Sequence, residues 1–475
     1  MFELQIALKY LIPRKRSVST ALISILSLFV ISLVIWLVLV FLSVTSGMEA
    51  NWLKKLTALH APIRIAPTDT YYSSYYYQID RHSAASNYTL KTIGEKLESP
   101  ISDPYAKDVD PELPPLFPET MGIDPVKIAS QELEKMKKEI AHFSFQDYEI
   151  SGALLKIQLQ NGASLSQMTY LLSFCEKNPT FSSLLLDKNS SQENESPIFL
   201  PKSYRDHGAK IGDLATLNFS APSLASFQEQ RIWGRVANFY DPGMFAVGSK
   251  CILVPKEITR AISAASPTVS PDGTATNGIF VWIEDLSQTQ KIADQIHERF
   301  EKAGISSYWQ VTTYKDFPFS KDLLLQFQSD RMILLFVASL ILTVACSSII
   351  SLLILLVNDK KKEIAILQSM GASKKSIAAV FAICGVTLGA FGCLFGSLAA
   401  FFTLHHIDRV IALFSFLQGH AALNPAFFGS TLPNKLSPEA LLFVLIATPI
   451  LSFLAGMIPA LKASRIHPAS TLRSE

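Results

Sequence analysis

The chain has 475 residues, 49% of them apolar and 17% charged, with a formal net charge of +2. That balance lies between a soluble protein and a polytopic membrane protein, so a few membrane spans joined to a large soluble region are expected. A net charge near zero gives no reason to expect nucleic acid or a strongly acidic partner.

Residues 1–19 read as a cytoplasmic surface segment. Phe2, Ile6 and Tyr10 recur every four residues, as on an amphipathic helix, and Pro13-Arg14-Lys15-Arg16 stops the pattern with a basic cluster. An ordinary signal n-region is the simpler reading, and a helix lying on the membrane surface is the sharper one. The run 21–44 contains no charge. It is longer than the ~7–15 residues of a secretory apolar core, so an uncleaved first span over 20–46 is predicted.

Residues 47–328 form the large soluble region, predicted to be an α+β domain. A helical continuation of the span is expected at Trp52-Leu53-Lys54-Lys55-Leu56, and a strand within 60–67. The tyrosine-rich run 71–77 reads either as a binding or membrane-interface surface or as an exposed loop. Seven prolines in 99–125 predict an irregular connection. A charged helix is expected at 131–139. Strands are expected at 151–159, after the turn 208–213, and at 231–239, 250–255 and 278–283, with an amphipathic helix at 287–303.

The run 332–357 is again free of charge, predicting a second span over 329–357. A basic cassette, 358–375, follows before a third span at 376–404. Within it Ile364, Leu367 and Met370 recur every three residues, an apolar stripe suited to docking a cytoplasmic partner or to a solvated loop helix. Gly371 suits a left-handed helix end and Ser373 the cap of the next helix. In the third span Gly385, Gly389, Gly392 and Gly396 are spaced 4, 3 and 4, so they share one face on which another helix can pack closely. Residues 405–438 read as a short loop with turns at Pro425 and Pro433. A fourth span over 439–461 carries Pro449 and Pro459 as kink points, and 462–475 is a basic tail.

Lys and Arg number four before the first span, five in 358–375 and three in the tail, against Arg409 and Lys435 in the loop after the third span. The positive-inside bias then places both termini inside and the large domain outside. The fold class expected is an integral membrane α-helical protein of four transmembrane helices, with a large α+β extracytoplasmic domain inserted between helices 1 and 2.

The sequence holds no phosphate loop, no HExxH, no GxSxG and no CxxC. The stretch Met370-Gly371-Ala372-Ser373-Lys374-Lys375-Ser376 only superficially suggests a phosphate loop, because the glycine spacing is wrong and no strand precedes it. His405-His406 reads as solvation of a helix end. Cys346, Cys384 and Cys393 fall in apolar spans and act as small hydrophobes. Cys175 and Cys251 could pair outside the cytoplasm, and their spacing does not decide it. No enzyme signature is present, which shifts weight toward a non-catalytic permease or receptor.

Two motifs reach a family. Glu363-Ile364-Ala365-Ile366-Leu367-Gln368-Ser369-Met370-Gly371-Ala372 resembles the EIAILRxxGA signature of the FtsX-like, macrolide-export-type ABC transporter permeases. Ile458-Pro459-Ala460-Leu461-Lys462-Ala463-Ser464-Arg465-Ile466-His467-Pro468-Ala469 resembles their PARRAARLDPVEALR ending. The opening 2–10, the turn 208–217 and the segment 234–255 are similar to the lipoprotein-releasing (Lol) permeases of the C and E type. The tyrosine run 71–77 and the proline-rich 99–125 match no motif of that family.

The resemblance implies a multi-pass protein of the bacterial inner membrane with a periplasmic domain. Its implied partners are a cytoplasmic ABC ATPase dimer, a second permease chain, a lipoprotein substrate, a periplasmic lipoprotein carrier and membrane lipid. No cofactor would bind this chain; ATP and Mg²⁺ would sit on the ATPase. Glu363, Ile364, Leu367, Met370, Gly371 and Ala372 would couple to that ATPase, and Phe41, Val44, Met48, Phe327 and Met332 would border an acyl cavity. Efflux of a drug or peptide is the rival within transport. Mechanical activation of cell-wall hydrolases is the rival from another class, although such permeases carry smaller external domains. Paralogue type, cargo and homo- or heterodimer formation stay open.

Overall fold

The computed structural model describes residues 6–7, 18–114, 122–159, 162–174, 184–186, 196–222, 226–242, 250–265, 276–419 and 436–464. Most of the helix expected over 2–10, the basic cluster at 14–16, Cys175, Pro425, Pro433 and the tail beyond Ser464 lie outside the described residues. In chain order the main helices are α1 (Val18–His60), α2 (Ile93–Glu98), α3 (Pro125–Glu139), α4 (Lys256–Ala265), α5 (Thr289–Lys302), α6 (Pro318–Asp359), α7 (Lys361–Ser369), α8 (Lys374–His405), α9 (Ile407–Gln418) and α10 (Pro438–Ser464). The strands are β1 (Ile63–Pro67), β2 (Ser144–Gln158), β3 (Ser164–Phe174), β4 (Pro197–Pro201), β5 (Leu214–Pro222), β6 (Phe227–Tyr240), β7 (Cys251–Pro255), β8 (Asn277–Trp282) and β9 (Trp309–Thr313). They fall into two compact units, 52–326 and the remainder.

The unit 52–326 is built around β2. The strand order β3-β7-β4-β6-β5-β2, with β2 also paired to β3, closes six strands into a ring. Strands β3 and β7 are parallel, as are β4 and β6, while β2 is antiparallel to both its ring neighbours. The first residues of β2, 144–149, leave the ring and pair with β8 in an open sheet that continues to β1 and β9. Alternation along β2 buries Ala153, Leu155 and Ile157, which share one apolar cluster with Leu171, Ile198, Leu217, Val236 and Ile252.

Helices α3 and α5 contribute to the apolar core of the open sheet. The start of α3 is fixed locally: the Asp124 side chain accepts from the Val126 and Lys127 amides, and Pro125 stands in the first turn. Its buried residues Val126, Ala129, Leu133 and Met136 then form one helical stripe. Helix α2 begins with a reciprocal capping box between Thr92 and Glu95.

The tyrosine run is not an exposed loop. It folds into two short helices, Asp69–Ser73 and Tyr75–Gln78, that bury Tyr71, Tyr75 and Tyr76. Tyr71 packs 5.7 Å from the Trp309 ring and 5.4 Å from that of Tyr77. Below it, Lys96 is buried with Asp80 at 2.7 Å, donates to the Tyr76 carbonyl and lies over the Tyr76 ring. Burial pushes the Lys96 amine down, and Asp80 opposes that shift. A second charged network ties α4 to β2: Lys256 meets Asp147 at 2.6 Å, while Arg260 bridges Glu149 and Glu98. Burial pushes the Glu149 carboxyl up, against the hydrogen bonds from Arg260 and Thr92.

Among the described residues four helical segments are long and apolar enough to cross a membrane: 25–60 in α1, 320–359 in α6, α8 and α10. The helices themselves extend beyond the charge-free runs, at α1 as far as His60. Ile31, Ile35, Val38, Leu39 and Leu42 of α1 pack inward with residues of α6, α8 and α10 in one apolar cluster. Phe29, Leu33, Leu37 and Phe41 stand exposed on α1 at four-residue intervals. A helix apolar on every side suits lipid on the face that protein leaves open. The interval after the third span is not simply a loop, because α9 occupies residues 407–418 of it.

Candidate functional site

The segment between α6 and α8 has a defined geometry built from local chemistry. Helix α6 ends at Asp359, and Lys360 breaks the helical path with φ −96° and ψ 10°. Lys360 also closes a 2.6 Å ion pair with Glu363 in the first turn of α7. At the other end Gly371 has φ +98°, the left-handed conformation that glycine adopts without strain. The Ala372 amide donates to the Leu367 carbonyl and the Gly371 amide to that of Gln368. These two bonds make a Schellman motif and satisfy the last carbonyls of α7. Ser373 then accepts from the Ser376 amide and caps α8. The chain therefore passes from the C-cap of α7, Met370, to the N-cap of α8, Ser373, through two residues.

The stripe expected from Ile364, Leu367 and Met370 does not face one way. Ile364 is 1% exposed and belongs to the apolar core of the membrane unit, and Ala365 is fully buried beside it. Leu367 is half-buried and Ala372 packs against the same core. A three-residue repeat drifts by about 60° per step on a 100° helix, which carries the stripe from core to solvent. The outward face instead presents Ile366, 48% exposed, and Met370, 79% exposed. Glu363 flanks them, with Lys361 and Lys362 exposed beside it. Ile366 was missed because its neighbour Ile364 fits the same short apolar pattern, and only tertiary packing separates them.

The four glycines of α8 are all buried and meet two different helices. An added Cβ at Gly385 would stand 2.8 Å from the Ser452 carbonyl oxygen and 3.1 Å from the Gly456 Cα, both on α10. At Gly389 it would collide with Ser452. At Gly392 and Gly396 the obstacles are Ile31, Ile35 and the Ser32 carbonyl, all on α1. Helix α8 is thus wedged between α10 at its first half and α1 at its second. Polar contacts add to this packing: Trp36 Nε1 donates to Thr403 Oγ1 at 2.9 Å, the Ser437 amide donates to Ser43 Oγ at 3.1 Å, and Arg331 pairs with Glu439. No sequence pattern had marked these partners.

Phe41 and Met332 stand on outward stripes, the first with Phe29, Leu33 and Leu37, the second with Phe336, Leu340 and Val344. Val44, Met48 and Phe327 are half-buried. Among the described residues no His, Cys, Asp or Glu cluster has the arrangement of a metal site.

Residues 335–468, which contain this whole segment, match the family described as FtsX-like permease C-terminal. The chain is 35% identical over 137 residues to the lipoprotein-releasing system transmembrane protein LolC of Haemophilus influenzae, covering 29% of this chain and 32% of that protein. It is 32% identical over 145 residues to LolE of the same organism, covering 30% and 35%. With LolC of Xylella fastidiosa the identity is 24% over 248 residues, covering 51% and 56%. The chain thus spans between about a third and just over half of the length of the curated relatives it matches. Residues 335–468 are thus similar to the C-terminal part of FtsX-like permeases, and the chain is similar, at moderate identity, to the lipoprotein-releasing system transmembrane proteins LolC and LolE.

Proposed function

We propose that this chain is the permease subunit of an ABC transporter that extracts acylated proteins from the inner membrane, powered by an ATPase on a separate chain. The observation that carries this reading is the match of 335–468 to FtsX-like permeases together with relatives named for lipoprotein release. Extraction needs an external energy source, because drawing an acyl chain out of lipid costs about 0.8 kcal/mol per CH₂. In this reading the ATPase docks on the outward face of α7, through Glu363, Ile366 and Met370. Closure of two ATPase copies then moves α7, and the two-residue link passes the movement to α8. Ile364 and Ala365 hold α7 to the membrane unit rather than to the ATPase.

The outward stripes bearing Phe41 and Met332 are completed by a second permease chain, and the acyl chains enter between the two. Unit 52–326 lies in the periplasm and hands the cargo to a soluble carrier, with both termini in the cytoplasm. The Lys and Arg distribution supports that orientation.

The test is mass spectrometry of the chain purified with its ATPase, before and after ATP and Mg²⁺ are added. An acylated protein that co-purifies and leaves on ATP addition is the expected result. An ATPase-active complex free of acylated protein would move the assignment to efflux or mechanical signalling.

A further inference from the structure

We propose that α9 lies in the boundary between membrane and water, with Leu413, Phe416 and Leu417 set among lipid headgroups and upper acyl chains. Helix α8 ends at His405, and a single residue, His406, separates it from Ile407 at the start of α9. The level of that break carries the side chains that mark a bilayer edge. His405 stacks on the Phe401 ring, and Asp408 and Arg409 follow at once. Amphipathic rings and charges of this kind collect where hydrocarbon gives way to water.

Beyond the break, Ile407 is buried, while Leu413, Phe416 and Leu417 are 58%, 84% and 70% exposed. Their spacing of three and one puts all three on one helical face. The charged residues Asp408 and Arg409 occupy the first turn, and Gly419 at φ +72° ends the helix. Twelve residues make about 18 Å of helix, too short to span a bilayer. An apolar face of this size on a short helix inserts about 5–10 Å into the headgroup boundary.

Lipid is the occupant because α9 adjoins the apolar end of a helix long and apolar enough to cross a membrane. That end of α8 exposes Leu394, Phe395, Leu398, Phe401 and Phe402, and only His406 separates it from α9. The inference needs only that α8 crosses a bilayer. It stands or falls independently of the cargo.

The test places p-benzoylphenylalanine at Phe416, at Leu417 and, as the reference, at Asp408 in the full chain in its native membrane. After irradiation the intact protein is weighed. Adducts of phospholipid mass, several-fold more abundant from 416 and 417 than from 408, are expected. Crosslinks from both positions to a second copy or to another protein would overturn the proposal, and so would the absence of lipid adducts at both.

Discussion

At Gly389 a single methyl group is too much. Its carbon would fall 2.6 Å from the Ser452 Cβ, which cannot rotate away as the hydroxyl can. Gly389→Ala should therefore destabilise the membrane unit by about 1–3 kcal/mol, the usual cost of overpacking. Adding Ser452→Gly should recover most of it. Thermal unfolding in detergent measures both, and an unchanged midpoint in the single variant would contradict the close packing of α8 on α10. The spacing of the four glycines was legible in the sequence because small residues in phase mark a close approach. Their division between α10 and α1 was not, because nothing in α8 names its neighbours. Lys96 and Asp80 present the opposite problem, a buried pair whose charges depend on each other. Lys96→Met should cost about 3–5 kcal/mol by stranding the carboxylate. Replacing both, with Asp80→Leu added, should cost less than the single change in chemical denaturation, and equal losses would show that the pair is not coupled.

For α7, helical periodicity identified an apolar stripe but could not say which of its residues the membrane core would claim. The structure turns Ile364 inward and leaves Ile366 and Met370 outside, which separates two kinds of variant. Ile366→Asp with Met370→Asp should abolish stimulation of the partner ATPase while leaving the unfolding midpoint unchanged. Ile364→Asp should lower the midpoint itself, since it forces a carboxylate into an apolar core. Should both variants behave alike, the outward face would not be the docking face. Among strands, β2 was readable through its alternation, but only over its second half. Strand β3 was not read, because the first half of Ser164–Phe174 mixes polar and apolar residues with none of them buried, and burial begins only at Thr169. Ring closure rests on pairings such as Tyr170 with Cys251, far apart in the chain, which local pattern cannot foresee. Likewise α9 went unread because His405, His406, Asp408 and Arg409 interrupt the apolar run, so that the segment beyond reads as a loop.

For the whole molecule, the four long helices were legible because charge is so costly in hydrocarbon that its absence over more than twenty residues is informative. The first two of these runs flank residues 52–326, which form a compact unit of their own. The chain crosses from one compact unit to the other only twice, near 51 and near 327. Calorimetry of the full chain in nanodiscs should accordingly resolve two transitions. Gly389→Ala should lower one and Lys96→Met the other. A single transition shifted by both would mean that the two units unfold as one.

The link between α7 and α8 makes the pair a crank. Both of its ends are hydrogen-bonded, so little slack remains for the short arm to turn without the long one. The long arm has 32 residues. At about 1.5 Å per residue it is a lever about 48 Å long, and a tilt of about 10° at the link sweeps its far end through about 8 Å. Spin labels at Ser369 and Phe402 would keep a constant separation through such a stroke, and a separation that changes with nucleotide would show that the link bends. With α10 lodged against the near half of α8 at Gly385 and Gly389, and α1 against the far half at Gly392 and Gly396, such a stroke would have to move the packed helices together. On the proposed function, a small rotation at the short arm would be magnified at the opposite end of the pair.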